Sequence, residues 1–265
     1  MYVAGIDIGS LSTDAVIMDG GGNMLAYSIL LTGASSKDAA RRALEEALDR
    51  AGLQEKDLSY ILSTGYGRAI VPFANEQVTE ISCHARGAFF LFPKTRTIID
   101  IGGQDSKVIR VNSKGKVVDF AMNDKCAAGT GRFLEVMARA LEIPLEEMGE
   151  KSLKAKEPVP ISSMCTVFAE SEVVSRIADG YAIEDIICGL HNAISDRVIS
   201  LLKRIGIEEQ ITMTGGVAKN VGVVHALENK LETKLNIHTE PQIVGALGAA
   251  LFALERCQSL TGWKS

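Results

Sequence analysis

Two cysteines, Cys126 and Cys165, lie in short loops of small and polar residues that lead into predicted helices. The loops are Asn123–Gly131 and Ser162–Thr166. Unpaired amides and partial positive charge at a helix start favour a thiolate. A cubane iron–sulfur cluster takes four thiolates, so two copies about a two-fold axis would complete one [4Fe-4S] cluster. The pattern predicts a metal site on Cys126 and Cys165 of a homodimer; the alternative, two incidental thiols, stays open.

The remaining three cysteines, Cys83, Cys188 and Cys257, give an odd total of five at irregular spacing. This is not a disulfide framework, and it suits a reducing compartment. The net charge of −5 gives no electrostatic footprint for nucleic acid. The first residues lack the basic region of a signal peptide, and no apolar run approaches the length of a membrane span. We therefore expect a cytoplasmic protein that binds neither nucleic acid nor membrane.

The chain repeats one pattern, first around Asp7 and again around Asp100. Each copy is an apolar strand, a glycine turn and a second strand, followed by another turn and a third strand, as in a β-meander. Amphipathic spacing predicts a helix over 36–51, with Ser36 as its N-cap and Gly52 as its stop. Further helices are expected at 131–142, 166–179, 183–205, 217–232 and 243–257, and strands at 59–64, 97–101, 107–111, 116–121, 210–214 and 235–238.

The glycine turns of both copies are candidate phosphate loops. Asp7 and Gly9 in the first copy match Asp100 and Gly102 in the second, which continues with Gly103. Glycine lets a phosphate approach backbone amides, and an aspartate can orient water bound to Mg²⁺. One such turn is a weak signal, whereas two in matching contexts favour nucleotide binding.

Two later segments extend this pattern. Gly215 and Gly216 follow an apolar strand and precede Lys219, so that an adenine or ribose can lie flat against the backbone. The alternative for this loop is an ordinary helix start. Gln242 precedes the small residues 245–250, whose spacing permits close helix packing and on its own is typical of core. The Walker A pattern is absent.

The order of these loops resembles the actin/hexokinase superfamily, and the two cysteine motifs extend the resemblance to one family. Asn123–Phe133 and Met164–Val173 closely resemble the ATP-dependent activators of (R)-2-hydroxyacyl-CoA dehydratases, a group that includes the ATPase subunits of benzoyl-CoA reductase. The resemblance runs from Gly5 to about Ala253. It implies a homodimer whose single [4Fe-4S] cluster takes Cys126 and Cys165 from each chain.

The same resemblance implies one ATP or ADP, with Mg²⁺, per subunit. The implied nucleotide contacts are Asp7, Gly9, Ser10, Leu11, Ser12, Thr13, Asp14, Asp100, Gly102, Gly103, Gly215, Gly216, Lys219 and Gln242. Gln104 and Asp105 are the catalytic candidates: an amide that orients water, and a carboxylate that holds Mg²⁺-bound water beside the γ-phosphate. Many members carry Lys where this chain has Asp14, so the side-chain part of the first loop departs from the family.

The implied function is ATP-coupled, one-electron donation to a partner iron–sulfur dehydratase or reductase that acts on an acyl-CoA. A ferredoxin or flavodoxin would supply the electron. The expected fold is α/β, with two actin-like (ribonuclease H-like) halves and duplicated β-meanders around a nucleotide cleft. The first half is expected to comprise 1–95 with the terminal helix 243–265, and the second 96–242. Two alternatives remain: a small-molecule kinase on the same fold, and a non-catalytic nucleotide-sensing regulator.

Overall fold

The computed structural model describes residues 1–162 and 165–261, and within them it contains ten β-strands and eight α-helices. The strands are β1 (Tyr2–Ile8), β2 (Ser12–Asp19), β3 (Met24–Leu31), β4 (Leu58–Thr64), β5 (Glu76–Gln77), β6 (Thr97–Ile101), β7 (Ser106–Val111), β8 (Val117–Asn123), β9 (Ile211–Thr214) and β10 (Asn236–Ile237). The helices are α1 (Ser36–Ala51), α2 (Glu80–Leu91), α3 (Gly131–Ala140), α4 (Met148–Ser152), α5 (Thr166–Ala178), α6 (Ile183–Ile205), α7 (Val221–Leu231) and α8 (Val244–Thr261).

The chain folds as two compact units. The first contains Met1–Thr95, Val111–Val118 and the chain from His238 onward, and the second contains Arg96–Arg110 and Asp119–Ile237. The expected halves differ from these units at 111–118 and 238–242, and the functional division into two actin-like halves stays a prediction.

The first unit has a five-stranded sheet in the order β3-β2-β1-β4-β5. Strands β1, β2 and β3 are antiparallel neighbours, and β4 lies parallel to β1. Strand β1 is buried on both faces because α1 and α8 both pack on it. Gly5 lies against α8: a Cβ there would come within 2.1 Å of the Ala246 carbonyl oxygen. The small residues of 245–250 therefore allow the close packing that the sequence predicts.

Helix α8 bears on the expected absence of a membrane segment. Among the described residues, Pro241–Leu260 is long and apolar enough to cross a membrane by length and composition, with a mean hydropathy of 1.3. This differs from the sequence-based expectation that no apolar segment has that length. Of this window 67% is buried inside the fold, as in any core helix, so the segment is weak evidence for a span.

The second unit has a five-stranded sheet in the order β10-β9-β6-β7-β8. Strands β6 and β7 are antiparallel, and β9 lies parallel to β6. One apolar core joins this sheet to α3, α5, α6 and α7. The predicted repeat is visible in the register: Asp7 is opposite Asp14 in the first unit, and Asp100 is opposite Lys107 in the second.

Most predicted elements form within a few residues of their expected bounds, but the cap of α1 differs, and α2, α4 and β5 were not predicted. The N-cap of α1 is Ser35 rather than Ser36, and its side chain accepts a hydrogen bond from the Asp38 amide. Gly52 ends the helix as predicted, with φ at 67°. Helix α2 is absent from the sequence-based prediction, although Thr79 caps it by accepting from the Ser82 amide.

Candidate functional site

The second unit places a buried charge cluster at the end of β6. Asp100 and Lys107 are 2% and 3% exposed. The Lys107 Nζ lies 3.0 Å from Asp100 Oδ2 and 2.9 Å from Asp105 Oδ2. The Thr214 hydroxyl donates to Asp100 Oδ1 at 2.8 Å. The predicted site residues Asp100 and Asp105 are thus joined by a lysine that the sequence analysis did not select.

The repeat contained a signal for Lys107. It follows Asp100 by the same interval at which Asp14 follows Asp7, and each pair forms opposite positions of an antiparallel ladder. A buried lysine between two carboxylates compensates their charge in a site where an unpaired carboxylate would be costly. This arrangement keeps two acidic groups together beside the glycine turn.

The turn after β6 is tight because of its glycines. The Gly102 amide donates to the Asp105 carbonyl oxygen at 3.0 Å. A Cβ on Gly102 would lie 2.7 Å from Asp105 Oδ1, so a larger residue there would displace this carboxylate. Gln104, at the tip, is exposed to solvent. Gln104, one of the two catalytic candidates, is therefore exposed beside the buried charge cluster.

The Gly215 loop lies against the same turn. Gly215 has φ at 85°, and a Cβ there would come within 2.4 Å of the Ile101 carbonyl oxygen and 2.9 Å of Asp100 Oδ1. Gly216 and Lys219 delimit a short 3-10 turn, and Lys219 is exposed. The structure therefore brings together Asp100, Gly102 and Gly215, three of the predicted nucleotide residues.

The first unit holds its own set of predicted residues around the β1–β2 turn. The Gly9 amide donates to the Ser12 carbonyl oxygen at 2.9 Å. The side-chain Nε2 of Gln242 donates to Ser12 Oγ at 2.8 Å, and Ser12 Oγ donates to Asp14 Oδ2 at 3.3 Å. Gln242 is far from this turn in sequence, yet it lies beside it because α8 packs on β1.

The other predicted residues of this turn differ in exposure. Ser10 and Leu11 are half-buried, whereas Thr13 is fully buried. The Thr13 and Thr32 hydroxyls are 2.9 Å apart, and Thr32 donates to the Gly9 carbonyl oxygen at 2.8 Å. The Thr13 hydroxyl therefore supports the turn from beneath, while its role as a nucleotide contact stays a prediction.

Asp7 lies in a cage of residues that the sequence analysis did not select. A Cβ on Gly65 would lie 2.3 Å from Asp7 Oδ1, and one on Gly245 would lie 1.9 Å from Asp7 Oδ2. His84 Nε2 lies 3.7 Å from Asp7 Oδ2. Gly65 and Gly245 were visible in the sequence, but their approach to Asp7 depends on tertiary packing.

Cys126 lies in the loop between β8 and α3 and is half-buried. Its carbonyl oxygen accepts from Asn123 Nδ2 at 2.8 Å. The N-cap of α3 is Thr130, four residues after Cys126, and the first two helix amides donate to the Gly102 and Gly103 carbonyl oxygens. The expectation that the α3 N-terminus favours a Cys126 thiolate is therefore wrong for these two amides, because they are already paired.

Cys165 is exposed and is itself the N-cap of α5. Among the described residues, no side-chain capping hydrogen bond is formed at the α5 N-terminus, in agreement with the sequence-based interpretation. Two residues of its predicted loop, Ser163 and Met164, lie outside the described residues. Helix α5 packs against α3, so both cysteine loops belong to neighbouring elements of one unit.

Glu172 fixes the start of the Cys165 loop. The Ser162 amide lies 3.1 Å from both Glu172 carboxylate oxygens, and the Ser162 hydroxyl donates to Oε2 at 3.1 Å. Arg176 Nη2 lies 3.5 Å from Glu172 Oε1. The Glu172 carboxylate on α5 thus holds Ser162, which precedes Cys165, to the helix that follows Cys165.

The other cysteines are poorer candidates for metal binding. Burial raises the pKa of the Cys83 thiol to about 12, and burial also raises the pKa of Cys188. Cys257 is buried. Raised thiol pKa values disfavour the thiolate that a metal requires, which leaves Cys126 and Cys165 as the better donors.

The donors on one chain are too few for a four-thiolate cluster. Within 1–162 and 165–261, no three Cys, His, Asp or Glu side chains are placed to hold one metal ion. A cluster that takes two thiolates from each of two chains does not require such a group. The Thr166 hydroxyl, next to Cys165, is buried and has no hydrogen-bond partner among the described residues, so it is available to a sulfur acceptor. These residues fit the group.

Comparison with known proteins identifies close relatives. Residues 4–253 match the model of the BadF/BadG/BcrA/BcrD ATPase family. The activator of lactoyl-CoA dehydratase from Anaerotignum propionicum is 51% identical over 97% of this chain and 99% of its own length. The solved activator of the 2-hydroxyisocaproyl-CoA dehydratase from Clostridium difficile, with bound ADPNP, is 45% identical. It covers 100% of this chain and 99% of its own, with a TM-score of 0.94.

A more distant structure bears on the fold alone. The ROK hexokinase from Thermus thermophilus is 15% identical, covers 98% of this chain and 100% of its own, and has a TM-score of 0.54. The predicted α/β fold of the actin/hexokinase type, with its duplicated meanders, is confirmed. The resemblance stated from the cysteine motifs is confirmed by the close relatives.

Proposed function

Because the chain belongs to the BadF/BadG/BcrA/BcrD ATPase family, we propose that it is an ATP-hydrolysing activator of an acyl-CoA dehydratase. In this proposal the chain donates one electron to a partner iron–sulfur dehydratase or reductase. The observation that carries it is the presence, in one unit, of the Asp100–Asp105 turn and of two cysteine loops on packed helices. The proposed nucleotide-binding turn and the proposed cluster ligands thus belong to the same unit of the fold.

The nucleotide is proposed to be ATP with Mg²⁺, bound at the glycine turns described above. The ADPNP in the solved relative supports this choice of ligand. Asp105, the more exposed of the two carboxylates, would orient Mg²⁺-bound water, and Lys107 would compensate the charge of Asp100 and Asp105. Gln104 orients the attacking water without accepting its proton, which keeps hydrolysis slow until a partner binds.

A [4Fe-4S] cluster, held by Cys126 and Cys165 from each of two copies, would supply the transferable electron. Residues on this chain prepare the site: Glu172 holds the start of one loop, and Asn123 holds the Cys126 carbonyl oxygen. Beside Cys165, Val167 and Phe168 are 66% and 68% exposed. Apolar side chains in that position favour a second copy as the partner across the site.

The proposal includes a cellular setting. A ferredoxin or flavodoxin supplies the electron, and the acceptor is a dehydratase or reductase acting on an acyl-CoA. The protein works in the cytoplasm, in oxygen-free metabolism, because exposed thiolates and low-potential clusters are sensitive to oxidation. The kinase and regulator alternatives are not favoured, since the hexokinase likeness shows the fold alone.

Iron analysis after anaerobic purification tests the cluster. We expect roughly four irons per dimer in the wild type and loss of most of that iron in Cys126→Ser and in Cys165→Ser. Cys188→Ser, a half-buried cysteine on α6, is the matched control and should keep full iron. Nucleotide binding should survive in all three variants. A full iron complement in either ligand variant would contradict the assignment.

A further inference from the structure

We propose that Thr130 is a positioning residue that links the Gly102–Gly103 turn to Cys126, so that the nucleotide state of the turn reaches the thiol through α3. The inference rests on the proposed function, since it concerns regulation of the same site. The contacts that form the link all lie within the second unit and join described residues.

The first half of the link joins the phosphate turn to the helix. The Gly131 amide donates to the Gly102 carbonyl oxygen at 2.9 Å, and the Arg132 amide donates to the Gly103 carbonyl oxygen at 2.8 Å. These are amides of the first helical turn, which have no partner inside the helix. The turn therefore serves as the N-terminal cap of α3, in place of a side chain.

The approach is close enough to require glycine. A Cβ on Gly131 would lie 3.3 Å from the Gly102 carbonyl oxygen and 3.4 Å from Gly103 Cα. It would also lie 3.7 Å from Val217 Cγ2, in the loop after β9. The start of α3 thus touches two of the candidate nucleotide loops at once.

The second half of the link joins the helix to the thiol. Thr130 is fully buried, and its amide and hydroxyl both donate to the Ala127 carbonyl oxygen, at 3.1 Å and 2.6 Å. Cys126 precedes Ala127 directly, and its own carbonyl oxygen accepts from Asn123. The four residues from Ala127 to Thr130 therefore form a closed turn with little freedom to absorb a displacement.

These contacts make the turn and the thiol move together. The Gly102 carbonyl and the Gly103 amide belong to one planar peptide unit, so a rotation that turns the Gly103 amide towards a phosphate also moves the Gly102 carbonyl oxygen. The Gly131 amide, which donates to that oxygen, must follow or lose its hydrogen bond, and Thr130 transmits the movement to Ala127. ATP and ADP differ in this effect only if they contact the turn differently, which the γ-phosphate provides.

A purely structural role for Thr130 makes a different prediction. Loss of the hydrogen bond from the Thr130 hydroxyl to the Ala127 carbonyl oxygen lowers stability whatever the nucleotide. A structural role leaves unchanged the ratio of the rates at which a chelator removes iron with MgADPNP and with MgADP bound. The two roles are therefore distinguished by this ratio of iron-removal rates and not by the free energy of unfolding.

The experiment measures the rate at which a chelator removes iron from the anaerobic holoprotein, with no nucleotide, with MgADP and with MgADPNP. In the wild type we expect MgADPNP to change this rate by about fivefold or more relative to MgADP, the lower range of allosteric coupling. Thr130→Val keeps the shape but loses the hydroxyl, and its ratio should fall towards one with unchanged nucleotide affinity. Thr130→Ser should restore the ratio.

Thr79→Val is the matched control, because it removes a hydroxyl at the start of α2 in the other unit. It should keep the wild-type ratio. A wild-type ratio in Thr130→Val would overturn the coupling proposal, whereas no nucleotide effect in the wild type would contradict the proposed function itself.

A second variant and a second measurement cover loss of iron in Thr130→Val. Gly131→Ala forces the turn and α3 apart by a few tenths of an ångström, and it should lower the same ratio. Amide hydrogen exchange over 124–135 needs no cluster, and MgADPNP should slow it in the wild type more than in Thr130→Val. Equal slowing in both would overturn the proposal.

Discussion

At the scale of single residues, the site is organised by one buried lysine. Lys107 bridges Asp100 and Asp105 at hydrogen-bond distance, so removal of either carboxylate changes the charge balance of the other. Asp105 differs from Asp100 in exposure, with a side chain that is 25% rather than 2% exposed. The more accessible carboxylate is the one able to reach a metal-bound water.

Asp105→Ala should therefore bind nucleotide but hydrolyse it poorly. Loss of the carboxylate that orients Mg²⁺-bound water should lower the rate of hydrolysis more than tenfold, about 1.4 kcal/mol in barrier. The measurement is phosphate release at saturating MgATP, with nucleotide affinity determined separately. Asp119→Ala, an exposed carboxylate on β8, is the control and should leave both unchanged. Near-normal turnover in Asp105→Ala would remove Asp105 from catalysis.

The sequence predicted the aspartates and glycines of the site but not all their neighbours. Asp100, Gly102 and Gly215 were recognisable because glycine turns after apolar strands have a local signature. His84 and Gly245 were not, since their approach to Asp7 depends on how α2 and α8 pack on the first sheet. Contacts between elements distant in sequence have no local pattern to detect.

At the scale of elements, a buried histidine ties three helices together. His191 on α6 is 1% exposed, with Nδ1 3.0 Å from Ser152 Oγ on α4 and Nε2 3.4 Å from Asn220 Nδ2. Asn220 is the N-cap of α7, accepting from the Gly222 and Val223 amides. The Ser152 hydroxyl donates to the Gly149 carbonyl oxygen, so Nδ1 carries the proton and the ring is neutral.

Burial lowers the pKa of His191 to about 4, from an ordinary value near 6.5. Between these values the unfolded chain binds a proton that the folded chain does not. The contribution to stability is therefore complete above pH 6.5 and is lost as pH falls towards 4. The loss is on the order of 3 kcal/mol over that interval.

His191→Gln should be less stable than the wild type at neutral pH but should lose less stability on acidification. Chemical unfolding at several pH values from 7.5 down to 4.5 measures the slope of the free energy of unfolding against pH. His225→Gln is the matched control, because His225 is exposed on α7 and should leave the slope unchanged. An unaltered slope in His191→Gln would show that other groups carry the acid sensitivity.

Helices with a clear periodic pattern were predicted well from sequence, and irregular ones were not. Helix α6 runs over Ile183–Ile205 as expected because its apolar residues recur with helical spacing over 23 residues. Helix α2 buries mainly small residues together with Cys83 and His84, so hydrophobic periodicity is weak there. Helix α4 has only five residues, too few for a pattern to form.

At the scale of the whole molecule, the duplicated meander has diverged in chemistry. The first copy places Asp14 opposite Asp7, whereas the second places Lys107 opposite Asp100. The cysteine loops occur only in the second unit, where they follow β8 and precede α5. The second unit therefore contains a candidate phosphate turn, a compensating cation and both cysteines.

Assembly into a dimer should depend on this second unit. Two thiolates per chain are too few for a cubane, so a shared cluster would bind one chain to the other. Metal ligation contributes directly to the stability of the species it joins. Exposed Val167 and Phe168 add apolar area beside Cys165, and Val174 and Ile177 on the same helix are exposed as well.

Cys165→Ser should therefore weaken the dimer as well as remove iron. We expect the wild-type holoprotein to stay dimeric at nanomolar concentration and the variant to dissociate, because ligation of a shared cluster would contribute to the stability of the dimer. Mass photometry of anaerobic samples over a dilution series measures the fraction of dimer, and Cys188→Ser should behave as wild type. A Cys165→Ser protein that lacks iron yet stays dimeric at nanomolar concentration would show that protein contacts alone hold the chains. The cluster would then sit at an interface that forms without it, and the two thiols of each chain would serve electron transfer rather than assembly.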